Sequence, residues 1–531
     1  MSSDKMKRTS VDAGKISTEH VDRPSDEHQA IEQPKLTWRM IFLGMYVGMA
    51  GWMYNFDLGY SGVVLQMDPF KQAFGSYGPI QTSSGDIING YSLTALQQSL
   101  VSIAILFIGL GSALASIFGQ YTGRRGTIQA ACVIIAAGAG GMLGTAGNYT
   151  NYMVCKCVQG VGLGMLLAAS PLWGVEVFLP RIRGIFLGFF GWGLAVGQLT
   201  ANGVCMATAS YTTYLAWQTP IICHIPLALV YGLLTFAFPE SPRWLLTKGR
   251  DDAARKSFAI YYGRPVDDPL VSNQLNEVVR HIELERRTDS TKFWEIFRGV
   301  NARRTLASTI VAQGIAVSGT RFITTYAVIF FAGVGLSNPY LINVLLAASA
   351  SAGVILVPWL VEYKGRRFAL LVGYGLLGTY MLIIGAVGSA LGQRNSSAQL
   401  VLIVLLCLWN FTFGLTVSTS LSTGTAEQHS LRLRTHGQAF VIALYEIIAF
   451  VISFSIPYMI NANYGNMGLN VGYFFAGLSA MIWIGSFFFV PETGQLSLEQ
   501  IDDLYMSGMS PCKTSLKKNK KIAMDSGRFR V

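Results

Sequence analysis

Long stretches of this chain contain no charged residue. Residues 87–123, 184–239 and 305–320 lack Asp, Glu, Lys and Arg, and residues 126–175 contain only Lys156. Runs of this length predict membrane-spanning helices, because crossing the hydrocarbon core of a bilayer takes about 20 mostly apolar residues. Across the chain, 51% of the residues are hydrophobic and 13% are charged. This composition excludes a soluble enzyme, a disordered scaffold and a secreted disulfide-linked domain.

The apolar runs predict twelve spans, numbered here in chain order. A polar tail, residues 1–37, precedes them and is predicted to be a disordered cytoplasmic segment. A cytoplasmic loop with short helices, residues 239–304, separates span 6 from span 7, and a cytoplasmic tail covers residues 491–531. The predicted fold is an all-α membrane protein with two six-helix bundles, residues 38–238 and 305–490. The predicted spans are 38–64, 91–118, 127–146, 151–178, 184–208, 217–238, 305–333, 339–361, 368–391, 399–425, 437–460 and 469–490.

Basic residues predict the orientation of these spans. The two tails and the loops that follow even-numbered spans contain 36 of the 40 Lys and Arg residues, whereas the opposite loops contain two. Because cytoplasmic loops are enriched in Lys and Arg, both termini are predicted to be cytoplasmic, with the plasma membrane as the expected location. The net charge of +11 belongs to these loops and does not indicate a nucleic-acid partner. The glycosylation sequon at Asn395 falls in a predicted outside loop.

Three sequence markers occur twice, which indicates that the two bundles are related by an internal, pseudo-symmetric repeat. Paired bundles with a site between them are typical of transporters that expose the site alternately to each side of the membrane. The markers are Gly123-Arg124-Arg125 and Gly365-Arg366-Arg367, 242 positions apart; Glu176 with Arg183 and Glu427 with Arg434, 251 apart; and Pro239-Glu240 and Pro491-Glu492, 252 apart.

Together these strings resemble the sugar porters of the major facilitator superfamily in their fungal form, from approximately residue 45 to residue 505. The resemblance implies a transporter of a small polar solute, sugar-like or a polyol, that works as a monomer by proton symport with alternating access. The strings that carry it are Asn55-Phe56-Asp57-Leu58-Gly59-Tyr60-Ser61-Gly62, Pro171-Leu172-Trp173-Gly174-Val175-Glu176, Arg183-Gly184, Pro239-Glu240-Ser241-Pro242-Arg243-Trp244-Leu245, Glu362-Tyr363-Lys364-Gly365-Arg366-Arg367 and Pro491-Glu492-Thr493-Gly494.

Acidic and basic side chains alternate at the predicted cytoplasmic helix ends, and we interpret them as a cytoplasmic latch. Such ion pairs form when the inner ends of the helices come together, and opening toward the cytoplasm must break them. The alternative is that the arginines only enforce the orientation of the spans. The latch residues are Arg124, Arg125, Glu176, Arg183, Glu240, Arg243, Glu362, Arg366, Arg367, Glu427, Arg434 and Glu492.

Asp57 and Lys156 lie inside predicted spans, where a charge costs about 2.5–3.5 kcal/mol on insertion scales. At about 1.5 Å of rise per residue, both fall in the outer third of the membrane, so they are predicted to pair. The resemblance implies a proton-coupling role, because proton-coupled relatives carry an aspartate in span 1 and an arginine in span 4. Desolvation of Asp57 then favours its protonated form. The alternative is a structural ion pair in a facilitator.

The predicted substrate-binding residues are Gln198, Gln313, Arg321, Ser422 and Glu446. The amide and tryptophan side chains that contact sugar in typical relatives are mostly absent, which makes an ordinary hexose an unexpected substrate. Arg321 stands in place of an asparagine and has two readings. It either binds a carboxylate substrate or neutralises Glu446.

Other functions remain open at this stage. An exporter of a secondary metabolite, a transporter of a small carboxylate and a non-transporting nutrient receptor are alternatives to the solute importer. His224, alone in span 6, is interpreted as a packed or pore-facing residue rather than a catalyst. The pattern of His, Cys and carboxylate residues suggests no enzymatic site, metal or cofactor.

Overall fold

The computed structural model describes residues 37–81, 87–178, 180–288, 292–324, 338–391, 396–417, 428–430, 432–461, 463–496 and 498–525. Apart from Thr37, the predicted tail of residues 1–37 lies outside these ranges, as do Asn395, Ser422 and Glu427. Arg183 and Glu362 belong to described helices, but their side chains lie outside the described part of the chain.

Helices occupy most of the described part of each of the twelve predicted spans, which confirms the predicted fold class, although residues 91 and 92 of predicted span 2 belong to a strand. Nine helices in the described ranges are long and apolar enough to cross a membrane, and one of them, Ala95–Leu143, contains both span 2 and span 3. The helices are Trp38–Val64, Ala95–Leu100 with Ile103–Leu143, Tyr149–Val177, Pro180–Thr208, Leu215–Leu234, Gly299–Val317, Pro339–Lys364, Arg366–Leu391, Ser396–Thr412, Arg434–Ile460 and Val471–Phe489.

The two ends of the helix bundle carry different small elements. Beyond the end of span 1 lie the helix Asp68–Phe74 and an antiparallel hairpin of β1 (Ser76–Gln81) and β2 (Ile87–Ser92), which the sequence did not predict. We call this end the hairpin face. The opposite end, the basic face, carries the loop helices Pro242–Thr247, Asp251–Tyr262 and Pro269–Thr288 and the tail helices Leu498–Met506 and Leu516–Asp525.

Each six-helix half has its own hydrophobic core. In the first half, Tyr46 stacks on Tyr231 with ring centroids 4.1 Å apart and packs edge-on against the buried Trp173. In the second half, the buried Trp409 and Tyr374 belong to a separate cluster. Because dense packing makes each core rigid, the halves are suited to moving as two bodies.

Hydrogen bonds join the two halves near the hairpin face. Ser102 in span 2 donates to Ser453 in span 11 at 2.7 Å. On the other side of the bundle, the Asn343 amide of span 8 donates to Asn202 of span 5 at 3.1 Å. Spans 2 and 8 both begin at the hairpin face, so these contacts lie at the end that alternating access would have to open.

Two helices of the second half depart from regular α geometry. Span 7 breaks after Val317, where Gly319 has a positive φ of 98°, although a continuous helix was predicted over residues 305–333. Its part beyond Thr324 lies outside the described residues. In span 10, residues Phe413–Val417 form a π-helical turn. Broken helices and π turns free backbone polar groups and are frequent at transporter binding sites.

Candidate functional site

The two charged residues predicted to pair do lie together inside the first half. The Lys156 Nζ atom of span 4 is 2.6 Å from the Asp57 Oδ1 atom of span 1. The two side chains are only 2% and 3% exposed. A buried ion pair is stable only when its remaining donors and acceptors are also satisfied, so the surrounding polar groups matter as much as the pair.

Three further residues complete what we call the ion-pair cluster: Tyr60, Gln159 and His224. The Tyr60 hydroxyl donates to Asp57 Oδ1 at 2.7 Å. Lys156 also donates to Gln159 Oε1 at 3.2 Å and to the Tyr60 hydroxyl at 3.3 Å. The lysine therefore has three oxygen acceptors, which matches the three donors of an ammonium group.

His224 belongs to this cluster, although the sequence alone suggested only a packed or pore-facing residue. Its Nδ1 atom is 3.0 Å from Gln159 Nε2 and 3.9 Å from Asp57 Oδ1. The available signal was its position as the one histidine in a mostly apolar span. For Tyr60 and Gln159 the signal was their spacing, three residues after Asp57 and Lys156 respectively, which places them on the same helix faces.

A second buried group, the interface cluster, consists of Tyr54 from the first half and Arg321, Tyr445 and Glu446 from the second. The Arg321 side chain lies within interaction range of Tyr54, Tyr445 and Glu446. Glu446 in turn packs against the position of Gly109 in span 2. Contacts from both halves therefore converge on the predicted substrate residues Arg321 and Glu446.

Some polar atoms of the predicted substrate residues have no hydrogen-bond partner among the described residues. These are Glu446 Oε2 and both polar atoms of the Gln313 amide in span 7, all of them buried. Gln198 differs, because its Oε1 atom accepts from the Asn55 amide at 3.4 Å. Buried polar groups are nearly always paired, so open ones indicate a place where a ligand or water supplies the partner.

The predicted latch residues of the first half form a compact group on the basic face. Arg124 makes two parallel hydrogen bonds to Glu176, at 2.6 and 2.9 Å. Glu240 accepts from the backbone amides of Arg124 and Arg125 at 3.0 and 3.2 Å, which caps the helix of span 3. Burial raises the pKa of Glu240, and these backbone amides oppose the rise.

The second half repeats this cap. Glu492 accepts from the backbone amides of Arg366 and Arg367 at 3.1 and 3.0 Å. Gly123 and Gly365 both have a positive φ, and a Cβ atom at either would collide with the carboxylate of the cap. The repeated Gly-Arg-Arg string therefore encodes a turn and a capped helix in each half. These particular contacts lie within a half rather than between the halves.

The remaining latch residues are also placed on the basic face by their elements. Arg243 belongs to the helix Pro242–Thr247, and Arg434 begins the helix of span 11. The Arg367 guanidinium donates to the carbonyls of Val490 and Phe487 at the end of span 12, at 2.6 and 2.7 Å. A cation there is favourable because the last carbonyls of a helix carry partial negative charge.

A model of the sugar (and other) transporter family matches residues 44–505 of this chain. The chain belongs to this family. It is accordingly an integral, multi-pass membrane protein, and the family is described as one of transporters.

Relatives of known function are similar over most of their length. A high-affinity fructose transporter of Schizosaccharomyces pombe is 29% identical over 491 residues, which cover 89% of this chain and 88% of the relative. A high glucose sensor of Saccharomyces cerevisiae is 25% identical over 494 residues, covering 91% of this chain and 62% of the sensor. Among solved structures, the proton:xylose symporter XylE, bound to 6-bromo-6-deoxy-D-glucose, has the same fold, with a TM-score of 0.69 and 18% identity over 89% of this chain and all of that chain.

Proposed function

We propose that this protein imports a small, neutral, hydroxylated solute, a sugar or a polyol, by proton symport. The observation that carries the proposal is the buried pair of Asp57 and Lys156, 2.6 Å apart inside the first half. A charged pair at this depth is costly, which favours a functional reason for keeping it. The XylE structure of the same fold is described as a proton symporter, which supports the same reading.

The pair offers a simple coupling mechanism. While Lys156 is bound to Asp57, the carboxylate is charged and the cluster is neutral overall. Desolvation penalises an unpaired carboxylate, so any movement of span 4 away from span 1 favours protonation of Asp57. Proton binding and separation of the pair are thereby linked, and a solute that stabilises the separated state draws in a proton with it.

The solute class follows from the open hydrogen-bonding atoms. Glu446 Oε2 and the Gln313 oxygen need donors, and the Gln313 nitrogen needs an acceptor. Hydroxyl groups supply both. The Glu446 carboxylate lies within electrostatic range of the Arg321 guanidinium, so it already offsets the positive charge that would attract a carboxylate substrate. This favours a neutral polyhydroxylated solute over a carboxylate.

The proposal includes an orientation. We infer that the basic face is cytoplasmic and that the protein lies in the plasma membrane, because basic loops are retained on the cytoplasmic side. Cleavage of the segment 239–304 by protease added to intact cells would contradict this orientation, whereas cleavage only after permeabilisation is expected.

Transport by purified protein in proteoliposomes tests the function. The solutes are D-glucose, D-fructose, D-xylose, mannitol and lactate, each with and without an inward-directed proton gradient. We expect accumulation of a sugar or the polyol only when the gradient is present. Accumulation of lactate alone would show that the substrate is a carboxylate rather than a neutral solute. Efflux driven by the gradient would indicate an exporter.

The variant Asp57→Asn tests whether Asp57 couples solute transport to proton movement. We expect it to abolish accumulation while leaving counterflow exchange, since the solute contacts proposed above do not include Asp57. The matched control is Asp68→Asn, because Asp68 is 85% exposed and pairs with Lys71 at the hairpin face. Unchanged uphill transport by Asp57→Asn, at equal amounts of protein, would remove the aspartate from the mechanism.

A further inference from the structure

A third titratable group is buried beside the coupling pair and has no role in the mechanism above. His224 in span 6 is fully buried, and its Nδ1 atom is 3.9 Å from the same Asp57 oxygen that binds Lys156. The ring is about as deep as the pair, since it lies nine residues into the helix that begins at Leu215 on the hairpin face. It is therefore placed where a second partner for Asp57 would be.

The hydrogen bonds around Gln159 define the protonation state of the ring. Lys156 can only donate, so the Gln159 atom that faces it must be the oxygen, as assigned at 3.2 Å. The other end of the amide, Nε2, then donates to His224 Nδ1 at 3.0 Å. An Nδ1 atom that accepts has no proton. In this state His224 is neutral, and its proton is on Nε2, which has no hydrogen-bond partner among the described residues.

Few charged groups surround the ring. Asp57 from span 1 and Lys156 from span 4 face it, and Tyr60 and Phe56 of span 1 pack against it with ring centroids 6.4 and 5.7 Å away. Spans 2, 3 and 5, which also pack in this half, contain no charged residue between 87–123, 126–155 and 184–208. On the short helix Asp68–Phe74, which contacts span 6 at the hairpin face, Asp68 and Lys71 pair with each other.

We propose that His224 is a second proton-binding residue of the coupling site, which exchanges places with Lys156 as the partner of Asp57. This rests on the proposed proton symport. One O–H bond of a hydronium ion breaks, leaving water, as a new N–H bond forms at Nδ1. The ring becomes an imidazolium that shares this proton with the Asp57 carboxylate, so that Asp57 and His224 are two positions for one proton. The same N–H bond breaks when the proton leaves, so the cycle neither consumes nor produces any other group.

Gln159 makes the exchange conditional. Protonated Nδ1 and Gln159 Nε2 are both donors and repel each other, so the amide must turn before His224 can hold a proton. The amide is held by the contact between its oxygen and Lys156. Proton binding at His224 is therefore favoured only when Lys156 has moved away, and the return of Lys156 expels the proton. This links the charge on His224 to the state of the ion pair.

The variant His224→Asn distinguishes a proton-binding role of His224 from a purely structural one. The Asn oxygen takes the place of Nδ1 and can still accept from Gln159, but it cannot carry a proton. We expect the variant to retain counterflow and to lose accumulation driven by the proton gradient, with a counterflow rate that no longer varies with pH as in the wild type. The probe is whichever of D-glucose, D-fructose, D-xylose and mannitol the wild type takes up fastest. His224→Gln, which places an amide at Nε2, is the second variant if Asn does not support folding.

The outcomes distinguish the two proposals. If Asp57→Asn loses accumulation while His224→Asn keeps the accumulation and pH profile of the wild type, the role of His224 is overturned and proton symport stands. If the wild type accumulates no solute in a proton gradient, or if Asp57→Asn accumulates it normally, the coupling mechanism fails and the role of His224 fails with it. Loss in both variants, with counterflow retained in both, supports the exchange.

Discussion

The ion-pair cluster and the interface cluster are both buried and charged, but they differ in how completely their charged groups are satisfied. In the first, Lys156 has three oxygen acceptors and Asp57 accepts from two donors. In the second, Glu446 Oε2 has no hydrogen-bond partner among the described residues. The first lies inside one half, whereas the second joins Tyr54 of one half to Arg321 of the other.

This difference indicates a division of labour. A network inside one half, with its charges paired, is broken only by a local movement such as that of span 4 away from span 1, so it suits a proton site. A network shared between the halves, with an open acceptor, changes whenever the halves move and suits a solute site. Substitutions in each cluster test this difference, and a titratable histidine outside both clusters serves as a reference.

The largest effect is expected from breaking the pair in the ion-pair cluster. Lys156→Met leaves the Asp57 carboxylate buried without its cation, which should lower the free energy of unfolding by about 3–5 kcal/mol. Asp57→Leu/Lys156→Met should recover most of this loss, because replacing both charges removes the uncompensated one. Thermal unfolding in detergent measures the stability of the single and the double variant. Lys71→Met is the surface control, because the exposed pair of Lys71 and Asp68 contributes at most about 1 kcal/mol. Equal losses at Lys156 and Lys71 would show that the buried pair is not special.

A smaller loss is expected from Arg321→Gln in the open cluster. Hydrogen bonds to a charged group contribute about 1.5–3 kcal/mol, and Tyr54 and Tyr445 lie within interaction range of the guanidinium. Adding Glu446→Gln should restore folding and transport if Arg321 mainly balances Glu446. The opposite result would be a wild type that binds only carboxylates and a double mutant that reaches the membrane but no longer binds them. That result would show that Arg321 binds an anionic substrate.

Glu446→Gln alone should weaken binding of the solute more than it lowers the stability of the protein. Loss of a hydrogen bond from a solute hydroxyl to a carboxylate corresponds to about 1.5–3 kcal/mol, a rise in KM of roughly 10- to 150-fold. Stability should fall less than in Lys156→Met, because Tyr54 and Tyr445 still lie beside the Arg321 guanidinium when the carboxylate is removed. Glu283→Gln on the exposed surface of the loop helix is the control. An unchanged KM with lower thermal stability would make Glu446 a structural residue.

The smallest effect concerns pH and a histidine outside both clusters. Burial, with Arg304 and Arg434 nearby, lowers the pKa of His429 on the basic face to about 4. Because the unfolded chain binds this proton near pH 6.5, the contribution of His429 is full above pH 6.5 and is lost as pH falls toward 4. At pH 5.5 the loss is about 1 kcal/mol. His429→Gln should reduce the acid sensitivity of thermal unfolding without changing the pH profile of counterflow, which separates this term from titration of the ion-pair cluster.

Span 1 shows how much of the fold could be read from the residues. Its predicted bounds, 38–64, match the observed helix Trp38–Val64, because Thr37 caps one end and polar residues follow the other. The pairing of Asp57 with Lys156 followed from depth alone, since two opposite charges at one level of a bilayer have few other partners. The hairpin of β1 and β2 was missed because this polar, glycine-containing segment lacks the apolar alternation of a buried strand.

The neighbours of the charges could not be predicted in the same way. Uncharged polar residues such as Gln159 and Tyr60 are tolerated at many positions in a span, so their presence does not specify a contact. The break at Gly319 likewise depends on its surroundings, because a helical glycine and a glycine with a φ of 98° look the same in sequence. The caps at Glu240 and Glu492 were expected to form pairs, but their bonds to backbone amides required the turn geometry.

Hydrophobicity and charge along the chain determined the number of spans, the repeat of the two halves and the residues that carry intramembrane charge, because the bilayer acts as a solvent on each segment separately. Tertiary structure decided which polar atoms meet: that Gln159 joins His224 to Lys156, and that Arg321 reaches Tyr54 across the halves. The physical reason is range. Partition into the membrane depends on local composition, whereas a hydrogen bond needs two atoms from distant segments within about 3 Å, which only packing of the helices provides.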